Sequence, residues 1–320
     1  MTKNYHLLLT VLPSILFAQF DPPAGQAGSK AIFKNDPLFK SWATEASVVR
    51  GPQDIAASTV VLASVGTAVN ATGIADGSGI VSLGDGGTAV LTFAKPITNG
   101  SGADFAVFEN SFNDTFLELA FVEASSDGIN FFRFPATSLT STATQVGTFG
   151  AVDATKINNL AGKYKANYGT PFDISELPDH ALLNKDKITH VKIIDVVGTI
   201  NPLYGTVDSV GNIVNDPYPT NFASGGFDLD AVGVINEFTE VLGTAHLSRS
   251  DFQIYPNPTS DFVQIKSREE IKNINVYSIT GQKVIVSENE KIDLKNLPAG
   301  NYLLEIITAK GKITQKIIKK

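Results

Sequence analysis

The chain has 320 residues, with 25 Lys+Arg against 32 Asp+Glu and a formal net charge of −7. That balance lacks the basic face of a nucleic-acid binder, and the length suits about two domains of roughly 150 residues each. With no cysteine, a disulfide scaffold, a thiolate metal site and a cysteine nucleophile are excluded.

Charge is uneven. Residues 251–320 hold 11 basic and 8 acidic residues, against 14 and 24 before them. An acidic body suits cation binding; it suits an ordinary solvated surface equally.

Residues 1–20 read MTKNYHLLLTVLPSILFAQF. Lys3 supplies a positive start, and the apolar run from Leu7 to Phe17 is shorter than the about 20 residues a spanning helix needs. This pattern predicts a cleaved signal peptide over residues 1–18, cut near Ala18–Gln19. No later stretch is apolar enough to predict a transmembrane helix, and the body is expected to span residues 19–238.

One helix is predicted near the start. Asp36 can cap it and Pro37 suits its first turn, where a missing N–H costs nothing. Leu38, Phe39, Trp42, Ala43 and Ala46 follow at helical spacing, and Gly51-Pro52 ends it. Trp42, the single tryptophan, is expected in the core beside Leu38, Phe39 and Ala46.

From about residue 58 the pattern turns to short β-branched runs bounded by Gly and Pro, such as STVVLASVG, GTAVLTFAKPI, ADFAVFEN and LELAFVEAS. Asp127-Gly128 suits a hairpin turn before NFFRFP. After a loop-rich middle, THVKIIDVV and GGFDLDAVGVINE close the body as strands. Short strands at regular intervals predict an all-β, antiparallel, jelly-roll-like sandwich with the one N-terminal helix.

Three acidic groups could carry chemistry. Asp228 and Asp230 flank Leu229, so regular alternation places both carboxylates on one face about 7 Å apart, where they repel without a cation nearby. Glu109 ends the strand of FAVFEN. Asp208 opens the loop VDSVGNIVNDPYP, in which Asn212 and Asp216 add oxygens around Gly211, without the full spacing of a calcium loop. Oxygen ligands without His or Cys favour Ca²⁺. The expected metal set is Glu109, Asp208, Asp228 and Asp230; solvated loops and hydrogen-bonded strand ends would account for the same residues. Tyr204, Tyr218 and Phe222 flank the acidic loop and are the candidate ligand contacts, although loop packing alone would also explain them.

No G-x-S-x-G elbow, H-E-x-x-H pair or Walker loop is present, and SLGDGG precedes a strand, so it reads as a turn. No catalytic residue is assigned, and a non-enzymatic role is expected.

A polar linker is predicted over 239–250, then compact strands joined by tight turns at Gly281 and Gly311. YPNPTSD (255–261), NVYSITGQKV (275–284) and LPAGNYLLEI (297–306), in that order before a Lys-ending strand, resemble the type A C-terminal sorting domain of the type IX secretion system. The resemblance covers residues 251–320. It implies a small β-sandwich, recognition by the type IX secretion machinery, and export across the outer membrane of a Gram-negative bacterium, with release or attachment at the surface.

Two looser resemblances concern the body. FVEASSDGINFFRFP (121–135) resembles a segment of galactose-binding-like jelly rolls, which implies a binding module with loops at one end and often a structural calcium. RGPQDI (50–55), FAVFEN and GGFDLDAVGV (225–234) resemble bacterial cell-surface proteins that accompany nutrient uptake, including of cobalamin. The expected function is a calcium-stabilised surface protein binding a glycan or another extracellular nutrient. An accessory role in vitamin uptake, a glycan-active enzyme with two carboxylates, and a structural or adhesin-like protein are the alternatives.

Overall fold

The computed structural model describes residues 20–239, 252–308 and 311–320. The expected signal peptide, and the expected linker from residue 240 onward, lie outside the described residues. The chain divides into two compact units, Met1–Phe238 and Thr239–Lys320.

The first unit is built from thirteen strands: β1 (Ile32–Phe33), β2 (Ser41–Trp42), β3 (Glu45–Val49), β4 (Val81–Ser82), β5 (Thr88–Ile97), β6 (Phe105–Glu109), β7 (Ala120–Ser125), β8 (Phe132–Arg133), β9 (Thr137–Ser138), β10 (Ile157–Asn158), β11 (Tyr168–Phe172), β12 (Ile188–Asp195) and β13 (Asp228–Val234). One sheet runs β1-β11-β6-β13-β2, with β4 also paired to β13; the other runs β3-β5-β12-β7-β8. All pairings in both are antiparallel.

The sheets face each other across one core. Leu91 of β5, Val122 of β7 and Val191 and Ile193 of β12 meet Phe105 and Val107 of β6 and Leu229, Val232 and Val234 of β13. From Val191 to Asp195 along β12 buried and half-buried residues alternate, which is the signature of one fully buried face. Strand β13 is buried throughout. Its Ala231 joins Phe108, Phe39 and Trp42 in a second cluster on the other side.

The predicted N-terminal helix is absent. Asp36 caps a turn instead: the Leu38 amide donates to its Oδ1 at 2.9 Å. The Lys40 and Ala43 amides then donate to the carbonyls of Val234 and Val232, at 2.8 and 3.0 Å. The segment lies along β13 and continues as β2 and β3, so tertiary pairing overrides the local helical spacing. Phe39 and Trp42 cover Gly233, where a Cβ would come within 2.7 Å of the Phe39 ring. Trp42 packs on Phe39 and Phe108 with centroids 4.9 and 5.3 Å apart.

The second unit contains β14 (Phe252–Tyr255), β15 (Phe262–Ser267), β16 (Ile271–Ser278), β17 (Lys283–Ser287), β18 (Lys291–Asp293), β19 (Gly300–Thr308) and β20 (Gly311–Lys319). They form sheets β14-β15-β18 and β17-β16-β19-β20. Val263, Ile265, Ile274, Val276, Leu304 and Ile317 fill the core.

The quoted motifs meet through side chains. Asn257 clamps the last strand: its Oδ1 accepts from the Ile318 amide and its Nδ2 donates to the Lys316 carbonyl, both at 2.9 Å. Asn275 and Tyr277 donate to Glu305 Oε1 at 3.0 and 3.1 Å, joining β16 to β19. Thus YPNPTSD is tied to the chain's final strand, and NVYSITGQKV to LPAGNYLLEI.

Candidate functional site

One region of the first unit collects acidic side chains that no basic residue neutralises in full. It begins where β6 and β13 pair, with Leu229 opposite Glu109. The register shifts between Leu229 and Ala231. This bulge sits at Asp230 and breaks the regular alternation that predicted a shared face for Asp228 and Asp230. Asp230 instead accepts from the amides of Asp76 and Gly77 at 3.2 and 3.0 Å.

Asp228 accepts a hydrogen bond from the Ser82 hydroxyl on β4. Burial raises its carboxyl to about 7, against the opposing effects of Ser82 and Arg50. Arg50 donates to the carbonyls of Val65, Gly66 and Ser82 at 2.8, 2.6 and 2.5 Å, so its guanidinium is held by backbone oxygens. Glu109 is 1% exposed. Its Oε2 accepts from the Ser111 amide at 2.7 Å, while its buried Oε1 has no partner. Burial first, and then the charge on Asp228, push the Glu109 carboxyl well above the usual range.

Glu118 is the third member. It is buried, and burial followed by the charges on Glu109 and Asp228 raises its carboxyl strongly. Glu118 and Asp228 line one cleft of about 410 Å³, whose other walls include Phe112, Phe116, Phe149 and Phe222. The rings form a row: Phe112 stacks on Phe116 with centroids 4.5 Å apart, Phe116 meets Phe149 at 5.9 Å, and Phe149 stacks on Phe222 at 5.7 Å. Phe112 and Phe149 are 68% and 71% exposed, an unusual placement for stacked phenylalanines.

Two further buried carboxylates hold the backbone behind this cleft. Asp195 accepts from the amides of Gly86 and Phe227 at 2.9 and 2.6 Å. Asp216 accepts from the Leu119 amide at 2.9 Å. Each therefore fixes the residue beside a cleft carboxylate: Phe227 precedes Asp228, and Leu119 follows Glu118. Burial raises both carboxyls well above the usual range, and Asp85 contributes to each shift. Asp85 sits in SLGDGG, which is a tight loop: a Cβ on Gly51 would lie 2.1 Å from the Asp85 carbonyl oxygen, and one on Gly87 2.0 Å from that of Leu83. Only glycine permits this approach.

Of the four expected metal residues, Asp228 and Asp230 both lie close enough to Glu109 for their charges to raise its carboxyl, Asp228 more than Asp230. Asp230 is turned to the 76–77 loop. Asp208 organises its own loop: it accepts from the amides of Ser138, Val210 and Asn212 at 2.9, 3.0 and 2.8 Å. Among the described residues no group of three or more His, Asp or Glu side chains is arranged to hold a metal ion. Of the expected ligand contacts, Phe222 lines the cleft. Tyr218 donates its hydroxyl to Asp54 at 2.7 Å, and Tyr204 is half-exposed in the turn that follows Asn201. Sequence reasoning passed over Glu118, Asp195 and the Phe112–Phe116 pair. The available signal was a charge inside the apolar run FLELAF, preceded by two phenylalanines four residues apart.

The fold and its tail define a class: an all-β body joined to a separate β-rich terminal unit. Residues 253–320 match the family described as "Secretion system C-terminal sorting domain". The tail is thus a type IX sorting domain, which marks the chain for secretion or display at the cell surface and implies contact with that secretion machinery. Among the described residues no helix is long and apolar enough to cross a membrane.

No curated protein matches the chain significantly. Solved structures with some similarity include the Faecalibacterium prausnitzii Beta-glucuronidase, at 13% identity and TM-score 0.20, covering 87% of this chain and 45% of that one. The Ruminococcus gnavus Beta-glucuronidase gives 10% identity and TM-score 0.22, with 88% and 43% covered. The BSP domain of a biofilm associated protein gives 9% and 0.20, with 73% and 48% covered. The chain spans less than half the length of each. Such TM-scores fall short of a shared fold, and a fold-level likeness would not fix function in any case.

Proposed function

We propose that the body is a binding module for a small extracellular molecule, carried to the cell exterior by the sorting tail. The supporting observation is the cleft in which exposed, stacked phenylalanines stand over buried carboxylates. Exposed aromatic faces gain from covering by a ligand, and a few polar groups at the floor fix its orientation. A glycan or another nutrient, cobalamin included, is the class suggested by the sequence. Calcium enters this reading as an ion bound by Glu109 and Asp228 that would relieve their repulsion; the unpartnered Glu109 Oε1 favours a cation, and the missing third ligand weighs against a preformed metal site.

The test is an array of glycans and vitamins probed with the full chain. Binding that disappears in Phe149→Ala and Phe222→Ala supports the reading. An array with no binding would leave a structural or adhesin-like surface protein as the better account.

A second reading has one observation in its favour. Glu118 and Asp228 line the same cleft with raised carboxyls, which is how a general acid is prepared in glycoside hydrolysis. Release of reducing sugar from a glycan panel, abolished by Glu118→Gln, would make the protein an enzyme.

A further inference from the structure

We infer that the cleft selects a ligand bearing an ammonium group on an apolar body, with the cationic head at the floor and the body along the phenylalanine row. The inference rests on the binding reading above and specifies the chemistry of its ligand.

Burial favours the protonated form of the cleft carboxyls, and once ionised they need a positive partner. Glu118 and Asp228 line the cleft, and the buried Glu109 is close enough for its charge to couple to both. Glu109 Oε1 is buried without a hydrogen-bond partner, a placement that costs free energy unless something pairs with it. No hydrogen bond reaches the Glu118 carboxylate among the described residues, although it is buried. Arg50 is the cation that bears on Asp228, and three backbone carbonyls hold it. A cation from outside is therefore the missing partner.

The walls say which cation. A bound Ca²⁺ takes about six to eight oxygens at roughly 2.3–2.6 Å, and phenyl rings supply none. The carboxylates are not gathered around one such point. A substituted ammonium carries diffuse charge, tolerates longer contacts, and is attracted to the faces of aromatic rings. A neutral sugar could use Asn110, Ser224 and the carboxylates for its hydroxyls, but it would leave the carboxylate charge without a cation, and the phenylalanine row has no donor or acceptor for it. Four rings in a row present more apolar length than an isolated ammonium covers, which asks for an apolar extension on the ligand.

The experiment is calorimetric titration of the full chain with four probes: phenylpropyltrimethylammonium, the neutral 3-phenylpropanol, calcium chloride and maltotriose. The expected result is binding of the ammonium probe at least tenfold tighter than the alcohol. Asp228→Asn and Glu118→Gln should weaken the ammonium tenfold or more and leave the alcohol unchanged. Phe149→Ala and Phe112→Ala alter exposed rings, should fold normally, and should weaken both. Equal affinities for the ammonium and the alcohol would overturn the charge preference while leaving an apolar binding cleft. Calcium binding that is lost in Asp228→Asn and displaces the ammonium would make the floor a metal site and overturn the inference. Maltotriose binding without ammonium binding would overturn the ligand class and keep the binding module. No heat from any probe would also overturn it; the array then decides separately whether the body binds small molecules at all.

Discussion

Glu109 and Asp228 stand on paired strands with the charge of Asp228 raising the Glu109 carboxyl, and one Glu109 oxygen is buried without a donor. Removing that charge should stabilise the body. In Glu109→Gln the side-chain carbonyl keeps the Ser111 amide as donor, and the new amide can donate toward Asp228. The expected gain at pH 8, in buffer free of divalent cations, is on the order of 1–3 kcal/mol, the usual cost of an unsatisfied buried group. For a unit of this size that is roughly 2–4 °C in Tm per kcal/mol. Thermal unfolding followed by circular dichroism reads it, and a lower Tm would contradict the assignment of repulsion.

The pH dependence of stability follows from the same groups. Burial raises Asp85 to about 6 and Asp228 to about 7, and raises Glu109, Glu118, Asp195 and Asp216 as well. A raised carboxyl keeps its proton in the folded state at pH values where the unfolded chain has lost it. Its stabilising contribution is complete below about pH 4 and is lost as pH climbs through the folded value. Other carboxylates oppose this at the acid end: backbone and side-chain hydrogen bonds hold Asp76 low, and the Tyr164 hydrogen bond and the Lys163 ion pair lower Asp21 against its burial. Their contributions vanish as pH falls through their depressed values. Maximal stability is therefore expected near pH 4, with pH 5 above pH 8 by at least on the order of 3 kcal/mol, the scale of a single two-unit shift. Denaturant melts at pH 3, 5 and 8 test this; a maximum at pH 8 would contradict it.

The sandwich could be read from the sequence because its strands are short β-branched runs, some with period-two burial as in β3, and its turns carry Gly and Asp-Gly. The tail could be read because its motif residues make fixed contacts: Asn257 reaches the end of β20, and Asn275 and Tyr277 reach Glu305. The helix failed because 38, 39, 42, 43 and 46 satisfy a helical spacing while their backbone groups find partners in distant β13. The surroundings of the expected metal residues were not legible for a similar reason. A bulge at Asp230 and the amides around Asp208 are tertiary facts with no local signature. Glu118 and Phe149 share a cleft although β7, β8 and β9 lie between them in the sequence, so only closure of the fold reveals them.

The aromatic lid over Gly233 should be a sensitive point of the first unit. Trp42 contacts Phe39 and Phe108 but is only partly buried, so Trp42→Ala is expected to cost roughly 3 kcal/mol, the low end for such a truncation. Gly233→Val acts on the same place from below, by forcing a side chain into the space of the Phe39 ring. Both should lower Tm, and the double variant should lose less than the sum, because the two changes disturb one contact. Strict additivity would separate the two effects.

The sorting tail yields a prediction about export that depends on one side chain. Asn257 supplies two hydrogen bonds to β20 and Thr259 adds backbone bonds to Ile318 and Lys320, so the YPNPTSD segment closes the end of the sheet. Asn257→Ala should cost about 1–3 kcal/mol through lost or unpaired groups. A reporter fused to residues 240–320 is expected outside the cell in a host with type IX secretion, and in the periplasm of the same host without it. With Asn257→Ala the exported fraction should fall, and Asn257→Asp should restore part of it by keeping the acceptor for the Ile318 amide. A fusion that stays periplasmic in the competent host would remove the tail's role as an export signal, whereas full export of both variants would show that the secretion machinery does not read the clamped end of β20.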